Sequence, residues 1–524
     1  MNKKFYITVS IPYVNSTPHI GYALECLQAD TFSRYYRSLG YDTYFLSGSD
    51  DNALKNVQSA EKAGIPTKEF VDKNATEFAK LKDLLNLSTD QFFQTSTEKH
   101  FKGAQKLWSA FKKEDLYKKT YKGLYCVGCE QFYTDEELIE GKTCPIHKKP
   151  VDEVEEENWF FKLSNYQGKF EQLFETNELH VLPEFRKNEA LALIKSGLQD
   201  FSISRSVERS KGWGVPVPGD QSQIMYVWVD ALSNYITALG YGEDDGTLFE
   251  TYWPADIQVI GKDINRFHTI YWPAMLLSAN LPVQKQVFIH GFITVNGEKM
   301  SKSIGNVLSP YDIIEKYGLE PTRYYLLKEI PTFSDGDFSD SRMLELYNAD
   351  LANGLGNLVS RTISMIQKYN ESRVPPLPVG SLKEKSTDTI DEAIRQLALT
   401  CIENDPTISE YAKLMQQREL SKALEHLWSK IRECDQLINI AEPWKLYKLG
   451  DTDRVNQVLY WLAQAIHNIA WEIQPFLPQT AQKIAKAMNI QKLLLENPNM
   501  FHGMHEWEEE VTINDVEPLF PRLS

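Results

Sequence analysis

The sequence predicts an α/β protein in which a doubly wound parallel sheet is split by an insertion and followed by an all-α helical bundle. Strand and helix patterns alternate over residues 1–115, stop over 116–222 and resume over 223–305. Such alternation is typical of a parallel sheet with helical crossovers. From residue 306 onward, apolar residues recur at helical spacing instead. A chain of 524 residues is long enough for about three to four domains of ordinary size.

The alternating runs set the expected order of the elements in the sheet. Runs rich in β-branched residues predict strands, whereas apolar residues at i, i+3 and i+4 predict helices. In the first half, strands are expected at 5–11, 41–47 and 91–96, and helices at 20–39, 53–64, 67–86 and 97–115. In the second half, strands are expected near 223–229, 256–261 and 286–291, and helices near 230–240 and 263–279.

The C-terminal part divides at a Pro-rich linker, residues 374–378. Residues 306–370 precede the linker and contain a long candidate helix from Ser341 to Tyr369. Residues 371–524 follow it and show the spacing of a helical bundle. The bundle helices are expected at 387–401, 418–439, 453–473 and 478–488.

Composition and charge narrow the class of protein. The chain has 42% hydrophobic and 24% charged residues, with 27 Gly and 24 Pro, which excludes collagen-like, mucin-like and wholly disordered proteins. Acidic residues outnumber basic ones by 72 to 56, so the net charge is −16. A polyanionic partner must therefore be bound by a local basic patch, against the field of the whole chain.

Cysteine usage and the N-terminus indicate a cytoplasmic protein. Six cysteines, three of them between 126 and 144, are too few for a disulfide scaffold and point to metal binding. The run after Lys3 and Lys4 could be taken for a signal peptide, but it alternates with Thr and Ser and has no small-x-small cleavage site. No apolar stretch approaches the ~18 residues of a membrane span, so no membrane association is expected.

Two loops carry the residue types of a phosphate-binding site. His19 and Gly21 open the first predicted helix, where free backbone N–H groups and the helix dipole favour an anion. Residues 299–303 form a Gly-flanked Lys/Ser loop that can supply mobile cationic donors to phosphates. An incidental His and a solvated loop are the alternatives. Both loops fall at the carboxyl ends of sheet strands, where open α/β sheets bind ligands, so together they favour a nucleoside triphosphate.

The two loops resemble the HIGH and KMSKS signatures of the class I aminoacyl-tRNA synthetases, and the whole chain is similar to the methionyl-tRNA synthetase family. Residues 299–303 match the second signature in full. The resemblance implies a Rossmann-like catalytic domain that is split by a zinc-binding connective insertion and followed by an anticodon-binding bundle. It also implies that L-methionine is activated with ATP and Mg²⁺ and transferred to the 3′-terminal adenosine of tRNA(Met). The implied ATP site contains His19, Gly21, Tyr22, Asp263, Lys299, Ser301 and Lys302, of which His19, Lys299 and Lys302 are catalytic.

Two segments depart from the family's pattern. Tyr22 stands where the family usually has its second His. Residues 48–53 read Gly-Ser-Asp-Asp-Asn-Ala, where the family commonly reads GTDEHG. Asp50 keeps the carboxylate that, by resemblance, holds the substrate ammonium, whereas Asn52 and Ala53 replace His and Gly.

A Cys/His set in the insertion predicts a structural zinc. Cys126 and Cys129 form one Cys-x2-Cys pair, Cys144 and His147 form a Cys-x2-His pair, and fourteen residues separate the pairs. Three thiolates and one imidazole complete a tetrahedron, which leaves no open position for catalysis. One zinc per chain is therefore expected to organise the insertion, as in the family's single-zinc form. Unliganded buried thiols are the alternative.

Residues 226–235 pass from a predicted strand into a predicted helix and combine aromatic with small side chains. Such residues can form a flat apolar slot for a thioether, because Met sulfur makes favourable contacts with ring edges. Ordinary core packing is the alternative. By resemblance, the methionine pocket consists of Ile11, Tyr13, Asp50, Trp228, Ala231, Leu232, Tyr235 and His268.

Three residues of the helical part are candidates for contacts with RNA. Asn357 and Arg361 are spaced i, i+4 and so share one helix face, and Trp444 follows Pro443. A Trp beside amide and guanidinium donors can stack on and read an unpaired base. A core Trp with an exposed Asn/Arg face is the alternative. By resemblance, the three residues match the family's readers of the CAU anticodon.

Three classes of function stay open at this point. The first is a methionine-activating tRNA ligase. The second is a ligase for another amino acid. A ligase for Ile, Leu or Val would carry a much longer editing insertion than 116–222. The ligase for Cys uses zinc to bind its substrate, whereas the zinc site predicted here is closed. A paralogue that only binds RNA is disfavoured by the complete lysine loop and by His19. The sequence ends at Ser524 without the appended tRNA-binding or dimerisation domain of longer members, so a monomer is expected.

Overall fold

The computed structural model describes residues 3–126, 131–133, 135–139, 142–145, 148–300, 305–377, 386–403, 408–490, 507 and 512–523. Its strands are β1 Lys4–Val9, β2 Asp42–Ser49, β3 Gln91–Gln94, β4 Leu116–Cys126, β5 Gln131–Tyr133, β6 Asp152–Phe161, β7 His180–Leu182, β8 Phe201–Ser202, β9 Ser204–Ser206, β10 Pro216–Val217, β11 Asp220–Met225, β12 Ile257–Gly261, β13 Gln286–His290, β14 Ile293–Val295, β15 Glu298–Lys299 and β16 Gly336–Phe338.

The helices of the described residues lie between and after these strands. They are α1 Ile20–Ser38, α2 Leu54–Ala63, α3 Thr67–Ala79, α4 Leu81–Leu84, α5 Glu98–Ala110, α6 Gln167–Glu175, α7 Glu184–Lys195, α8 Val227–Thr237, α9 Thr247–Tyr252, α10 Trp272–Ser278, α11 Pro310–Tyr317, α12 Leu319–Lys328, α13 Asp340–Leu346, α14 Asn357–Tyr369, α15 Thr389–Ile402, α16 Glu410–Gln416, α17 Leu420–Ala441, α18 Pro443–Leu449, α19 Thr452–Ile473 and α20 Pro478–Ala487. Among the helices described, none is both long enough and apolar enough to cross a membrane.

A six-stranded sheet in the order β3-β2-β1-β12-β13-β7 forms the centre of the first compact unit. Each neighbouring pair of its strands is parallel. The chain runs outward from β1 through β2 to β3 and later returns to β12 on the other side of β1, so the strand order reverses between β1 and β12. In such sheets a ligand binds at this reversal, beyond the carboxyl ends of the strands. The predicted Rossmann-like sheet is therefore present.

Two strands differ from the sequence prediction. The strand expected near 223–229 is β11, and it pairs antiparallel with β9 and β10 in a separate three-stranded sheet. Its first half is polar and only its second half is buried, whereas a central parallel strand is usually apolar throughout. The sixth strand of the main sheet is instead β7, which lies within 116–222 and has only three residues. A strand of that length gives almost no periodic signal.

The predicted insertion contains its own antiparallel sheet, in the order β5-β4-β6-β8. The long pair β4 and β6 forms its centre, with Leu116 opposite Phe161 at one end and Tyr125 opposite Asp152 at the other. On β6, Glu153, Glu155 and Glu157 share one face and are exposed, whereas Val154, Asn158 and Phe160 share the opposite face and are buried. One solvated and one covered face is usual for an antiparallel sheet.

The chain forms two compact units. The first comprises Lys4–Ala29 and Asp42–Gly291 and contains the main sheet and the insertion. The second comprises Asp30–Tyr41 and the chain from Phe292 onward, together with the N-terminal residues before Lys4. Helix α1 therefore contributes residues to both units. We call them the sheet unit and the helical unit.

The four predicted bundle helices are confirmed as α15, α17, α19 and α20, each within a few residues of its expected ends. Helices α16 and α18 were not predicted, because seven residues make only about two turns. The long helix expected from Ser341 runs as α13, a π-helical stretch over Tyr347–Gly356, and then α14. The stretch contains Gly354 and Gly356, and glycine is a poor former of regular α-helix.

Candidate functional site

The turn from β1 into α1 has the geometry of an anion site. Nδ1 of His19 accepts hydrogen bonds from the backbone N–H groups of Gly21, at 3.1 Å, and Tyr22, at 3.3 Å. The exposed imidazole thus caps the first turn of the helix. Since Nδ1 is an acceptor, the proton of the neutral ring is on Nε2. This tautomer can donate a hydrogen bond to an anion at the helix N-terminus.

The side chain of Tyr22 lies in the interior of the sheet unit. It is 7% exposed, packs edge-to-face on Phe78 with 5.6 Å between ring centroids, and lines a small cavity with Cys26. Burial, reinforced by Cys26 and Glu25, raises the pKa of Tyr22 well above its ordinary value. The ring therefore packs against the face of α3, and its place in the nucleotide set stays a prediction.

The loop after β2 brings the predicted ammonium ligand next to the loop after β1. The backbone N–H of Asp50 donates to the carbonyl of Pro12 at 2.9 Å, and Tyr13 and Asp50 form an isolated parallel bridge. Asp50 is only 2% exposed, and one of its carboxylate oxygens accepts the backbone N–H of Asn52 at 3.2 Å. A buried carboxylate held in this way suits a cationic ligand group.

Helix α8 presents the predicted pocket residues on one face. Trp228, Ala231, Leu232 and Tyr235 are spaced i, i+3, i+4 and i+7 on α8, which places them together on one side of the helix. The indole of Trp228 stacks on Phe267, with ring centroids 3.7 Å apart and planes 7° from parallel. Rigid stacked aromatics give an apolar wall for a thioether.

His268 closes the other side of this wall. Its Nε2 lies 2.8 Å from the hydroxyl of Tyr235, and its Nδ1 lies 3.1 Å from the carbonyl of Ile264. Its ring also meets the ring of Trp228 nearly at right angles, at 6.4 Å. Burial lowers the pKa of His268 to about 4, so the imidazole is neutral at physiological pH. Nδ1–H then donates to the carbonyl, and Nε2 accepts from Tyr235.

The low pKa of His268 predicts a pH dependence of stability. The unfolded chain has the ordinary value of 6.5, so it binds more protons than the folded chain as the pH falls from 6.5 towards 4, and stability is lost in that window. From pH 7 to 5, His268 should cost about 2 kcal/mol of unfolding free energy. The measurement is urea unfolding of the wild type and of His268→Gln at both pH values. Equal losses in the two proteins would contradict the prediction.

A second buried pair lies at the carboxyl edge of the sheet and was missed in the sequence. Nε2 of His290, the last residue of β13, lies 3.0 Å from a carboxylate oxygen of Glu25, and Nδ1 lies 2.7 Å from the carbonyl of Gly291. Ser10 donates its N–H and its hydroxyl to the other oxygen of Glu25. Burial opposes the charged ring, but the hydrogen bond and charge of Glu25 outweigh it and raise the pKa of His290.

Asp263, which is predicted to belong to the ATP site, lies near this pair. Asp263 is exposed in the turn Lys262–Ile264 that follows β12. A Cβ added to Gly261 would lie 3.0 Å from a carboxylate oxygen of Asp263 and 4.0 Å from the ring of His290. Gly261 therefore lets the turn approach the sheet edge closely.

The lysine loop begins in the helical unit as a tight hairpin. Strands β14 and β15 pair with Val295 opposite Glu298, so Asn296 and Gly297 form a two-residue turn. Both have left-handed backbones, with φ of 51° and 79°, as the Asn-Gly hairpin turn requires. Lys299 is exposed, with its ammonium 5.5 Å from the ring centroid of Phe292. Ser301 and Lys302 lie outside the described residues.

Two of the four predicted zinc ligands are described. Cys126 and Cys144 are buried and pack in one small apolar cluster with Tyr133. The sulfur of Cys144 lies 3.8 Å from the hydroxyl of Tyr133. Cys129 and His147 lie outside the described residues. Among those described, no group of three possible metal ligands occurs.

The predicted RNA contacts lie in the helical unit. Asn357 is exposed and Arg361 half-buried on α14, and the guanidinium of Arg361 lies 3.7 Å from a carboxylate oxygen of Asp435 on α17. Trp444 is half-buried in the first turn of α18. The end of α14 meets α18 where Tyr369 and Tyr447 pack with 4.6 Å between ring centroids. The helices that carry the three candidates are therefore neighbours.

Comparison with known proteins decides the family. The family model described as "tRNA synthetases class I (M)" matches residues 5–153 and 144–363. The family model described as "Anticodon binding domain of methionyl tRNA ligase" matches residues 394–522. The chain belongs to the methionyl-tRNA synthetase family. A methionine–tRNA ligase of Brucella suis is 43% identical over 92% of this chain and 91% of its own, and that of Thermotoga maritima is 41% identical over 99% and 80%.

Solved structures of methionyl-tRNA synthetases are similar to the structure of this chain over nearly its whole length. The Mycobacterium tuberculosis methionyl-tRNA synthetase in complex with methionyl-adenylate has a TM-score of 0.88 and 35% identity, and covers 99% of this chain and 100% of its own. The apo form from the same organism has a TM-score of 0.85 and 32% identity. The Rossmann-like parallel sheet and the helical C-terminal domain thus fit the solved structures of methionyl-tRNA synthetases.

Proposed function

We propose that the chain is a methionine–tRNA ligase for initiator and elongator tRNA(Met). It joins L-methionine to the α-phosphate of ATP, releases pyrophosphate, and transfers the methionyl group to the 3′-terminal adenosine of the tRNA. The observation that carries the proposal is that the sheet unit combines a buried carboxylate, Asp50, with the aromatic face of α8 and the neutral ring of His268. These are the groups that a zwitterionic thioether needs.

Each end of methionine has a chemical counterpart in the sheet unit. Asp50 balances the ammonium group, and the rings of Trp228 and Tyr235 contact the thioether. Nε2 of His268 accepts a hydrogen bond from the hydroxyl of Tyr235, which fixes the orientation of the imidazole and of the phenol ring. Ile11 packs over Gly48, whose added Cβ would lie 3.2 Å from the Ile11 side chain. Tyr13, Ala231 and Leu232 complete the set.

Activation then needs positioning and charge neutralisation. The methionine carboxylate is itself the nucleophile, so no general base is required, and positioning with electrostatics supplies the rate. His19 donates from Nε2 to the phosphates, and Gly21 and Tyr22 contribute backbone at the helix N-terminus. Lys299, Ser301 and Lys302 neutralise charge on the triphosphate, Asp263 faces the ribose or the amino acid, and Mg²⁺ accompanies ATP as part of the substrate.

Amino-acid-dependent ATP–pyrophosphate exchange tests this proposal against its alternatives. Exchange that requires methionine, and that Ile, Leu, Val and Cys do not support at comparable concentration, is the expected result. Exchange with one of those four amino acids would identify a sibling ligase. Binding of tRNA without exchange for any amino acid would identify an RNA-binding paralogue.

We further propose one structural zinc in the insertion. Cys126 and Cys144 share one buried cluster, and thiolates of this kind with one imidazole are the usual ligands of a closed tetrahedral zinc. Cys129 and His147 would complete the set. Zinc held there would stabilise the fold of the insertion and take no part in the reaction.

Elemental analysis tests the zinc site. We expect one zinc per purified chain and its loss in the double variant Cys126→Ser/Cys144→Ser, because two ligands cannot hold the ion. Cys401→Ala, which alters a buried cysteine in the bundle, is the control and should retain the metal. Zinc that is absent from the wild type, or unchanged in the double variant, would refute the site.

Trp444 is proposed to read the anticodon with Asn357 and Arg361. Stacking of a base on an accessible aromatic ring contributes about 1–3 kcal/mol per base, and Trp444 is half-buried. Trp444→Ala should therefore raise KM for tRNA(Met) by about fivefold to 150-fold while leaving pyrophosphate exchange without tRNA unchanged. The measurements are aminoacylation and exchange on the same preparation.

A core Trp gives the opposite pattern and serves as the comparison. Trp428 on α17 is 3% exposed and packs on Tyr324 at 4.4 Å. Trp428→Ala is expected to lower stability and to reduce both activities by the same factor. If Trp444→Ala behaves like Trp428→Ala, then Trp444 is a packing residue and the proposed contact is wrong.

Finally, we propose that the protein is a cytoplasmic monomer. The cytoplasmic location rests on composition, because the chain has six cysteines of which three fall in the zinc motif. Light scattering after size-exclusion chromatography tests the monomer. A mass of two chains would overturn it.

A further inference from the structure

The side chain of Asn52 links three elements of the sheet unit. Its amide nitrogen donates to the carbonyl of Thr95 at 3.0 Å and to a carboxylate oxygen of Asp230 at 2.9 Å. Both hydrogens of the amide are thereby used. Asn52 is 6% exposed, so neither acceptor can be satisfied by bulk water if the amide is removed.

Asp230, which accepts from the Asn52 amide, belongs to a second buried group of hydrogen bonds. The second carboxylate oxygen of Asp230 lies 2.6 Å from Nε2 of His100, whose Nδ1 lies 2.8 Å from the hydroxyl of Thr237. A carboxylate only accepts, so Nε2 of His100 carries a proton. His100 is 0% and Asp230 1% exposed. The network thus ties α5 to α8 and presents one fixed acceptor to Asn52.

The backbone of the same residue holds the predicted ammonium ligand. The N–H of Asn52 donates to a carboxylate oxygen of Asp50 at 3.2 Å, and the side-chain amide of Asn56 donates to the Asp50 carbonyl at 2.8 Å. Helix α8, which carries Asp230, also carries the aromatic face with Trp228. Asn52 therefore stands between the two groups that would contact opposite ends of methionine.

We propose that Asn52 is a positioning residue that fixes the Asp50 carboxylate relative to α8, so that the ammonium and the thioether of methionine are bound at one separation. The proposal rests on the proposed function. Without the amide, the loop that carries Asp50 loses the two hydrogen bonds that the Asn52 side chain makes to Thr95 and Asp230, and Asp230 keeps one unpaired acceptor. Binding energy for the ammonium falls because the carboxylate must be ordered when the substrate binds.

A double-mutant cycle on kcat/KM for methionine, measured by pyrophosphate exchange, tests this role. We expect Asn52→Ala to lower kcat/KM for methionine about tenfold while changing KM for ATP less than about twofold. In the Asp50→Asn background the same change should cost less than about twofold, because the group it positions is gone. Asn52→Ser, which keeps one hydroxyl donor, should lose less than Asn52→Ala and tests the same bonds if the alanine variant does not fold.

A neighbouring amide supplies the matched control. Gln94 donates to Asp51 at 3.1 Å, the residue between Asp50 and Asn52, and Gln94→Ala should leave kcat/KM for methionine within about twofold. Equal losses from Asn52→Ala in both backgrounds, or a matching rise in KM for ATP, would overturn the positioning role. If Asp50→Asn alone leaves kcat/KM for methionine unchanged, the assignment of Asp50 fails, and with it the proposed methionine site.

Discussion

Lys302→Ala should lower the rate of methionyl-adenylate formation by about 100-fold or more while leaving methionine binding nearly intact. The reason is that, in the proposed mechanism, the lysine acts on charge that develops on the phosphates in the transition state and does not contact methionine. Lost electrostatic stabilisation of this kind lowers kcat and leaves the dissociation constant of the other substrate unchanged. Single-turnover adenylation and equilibrium binding of methionine measure the two quantities separately.

A surface lysine of the same unit provides the control for this variant. Lys316 is exposed and paired with Asp340 at 2.9 Å, so Lys316→Ala should change neither quantity. If adenylation runs at the normal rate in Lys302→Ala, the lysine does not act on the phosphates. A parallel loss of methionine binding would instead indicate a defect of the fold.

The outline of the sheet unit was predictable because its central strands are strongly patterned. Strand β1 and helix α1 lie within about two residues of their expected bounds, since a run of apolar residues that alternates with Thr and Ser, followed by a helical period, gives a clear signal. Strand β7 gave none, being three residues long. Strand β11 was predicted in the main sheet but lies in a separate one. In sequence, a half-buried strand that precedes a buried helix looks the same as a strand of the main sheet.

The face of α8 that carries four residues of the proposed methionine site was predictable only in part. Ala231, Leu232 and Tyr235 fall in the helix expected near 230–240, whereas Trp228 was expected at the end of a strand and lies in the first turn of α8. The burial of Tyr22 was not predictable, because helical spacing cannot say which neighbouring element covers a given face.

The buried polar networks could not be predicted from the sequence. His100 and Asp230 are 130 positions apart, and His290 and Glu25 are 265 apart. No local pattern encodes such a pair, since each residue alone looks like an ordinary helix or strand position. The sequence showed that Asn52 departs from the family's pattern. The role of its amide became clear only when the structure showed the two acceptors, on Thr95 and Asp230.

The buried guanidinium of the helical unit should have the largest effect on stability. Arg323 on α12 is 0% exposed and donates to a carboxylate oxygen of Asp30 at 2.7 Å, to the carbonyl of Phe476 at 2.7 Å and to that of Pro475 at 3.2 Å. Each buried acceptor that is left without its donor costs about 1–3 kcal/mol, so the loss of the two carbonyl contacts together costs about 2–6 kcal/mol. We expect Arg323→Met to lower the free energy of unfolding by that amount in urea titrations followed by far-UV circular dichroism.

Two further variants separate the possible origins of that loss. Arg342 forms a two-point ion pair with Glu329, but its side chain is 40% exposed, so Arg342→Met should cost about 1 kcal/mol or less. Arg34 also donates to Asp30, at 2.8 Å, so the carboxylate stays paired when Arg323 is replaced. The loss should then come mainly from the two carbonyls, and adding Asp30→Asn to Arg323→Met should recover little stability. Substantial recovery would mean that the charge of Asp30 dominates the loss. A loss below about 1 kcal/mol in Arg323→Met alone would contradict the expected cost of leaving the two carbonyls without a donor.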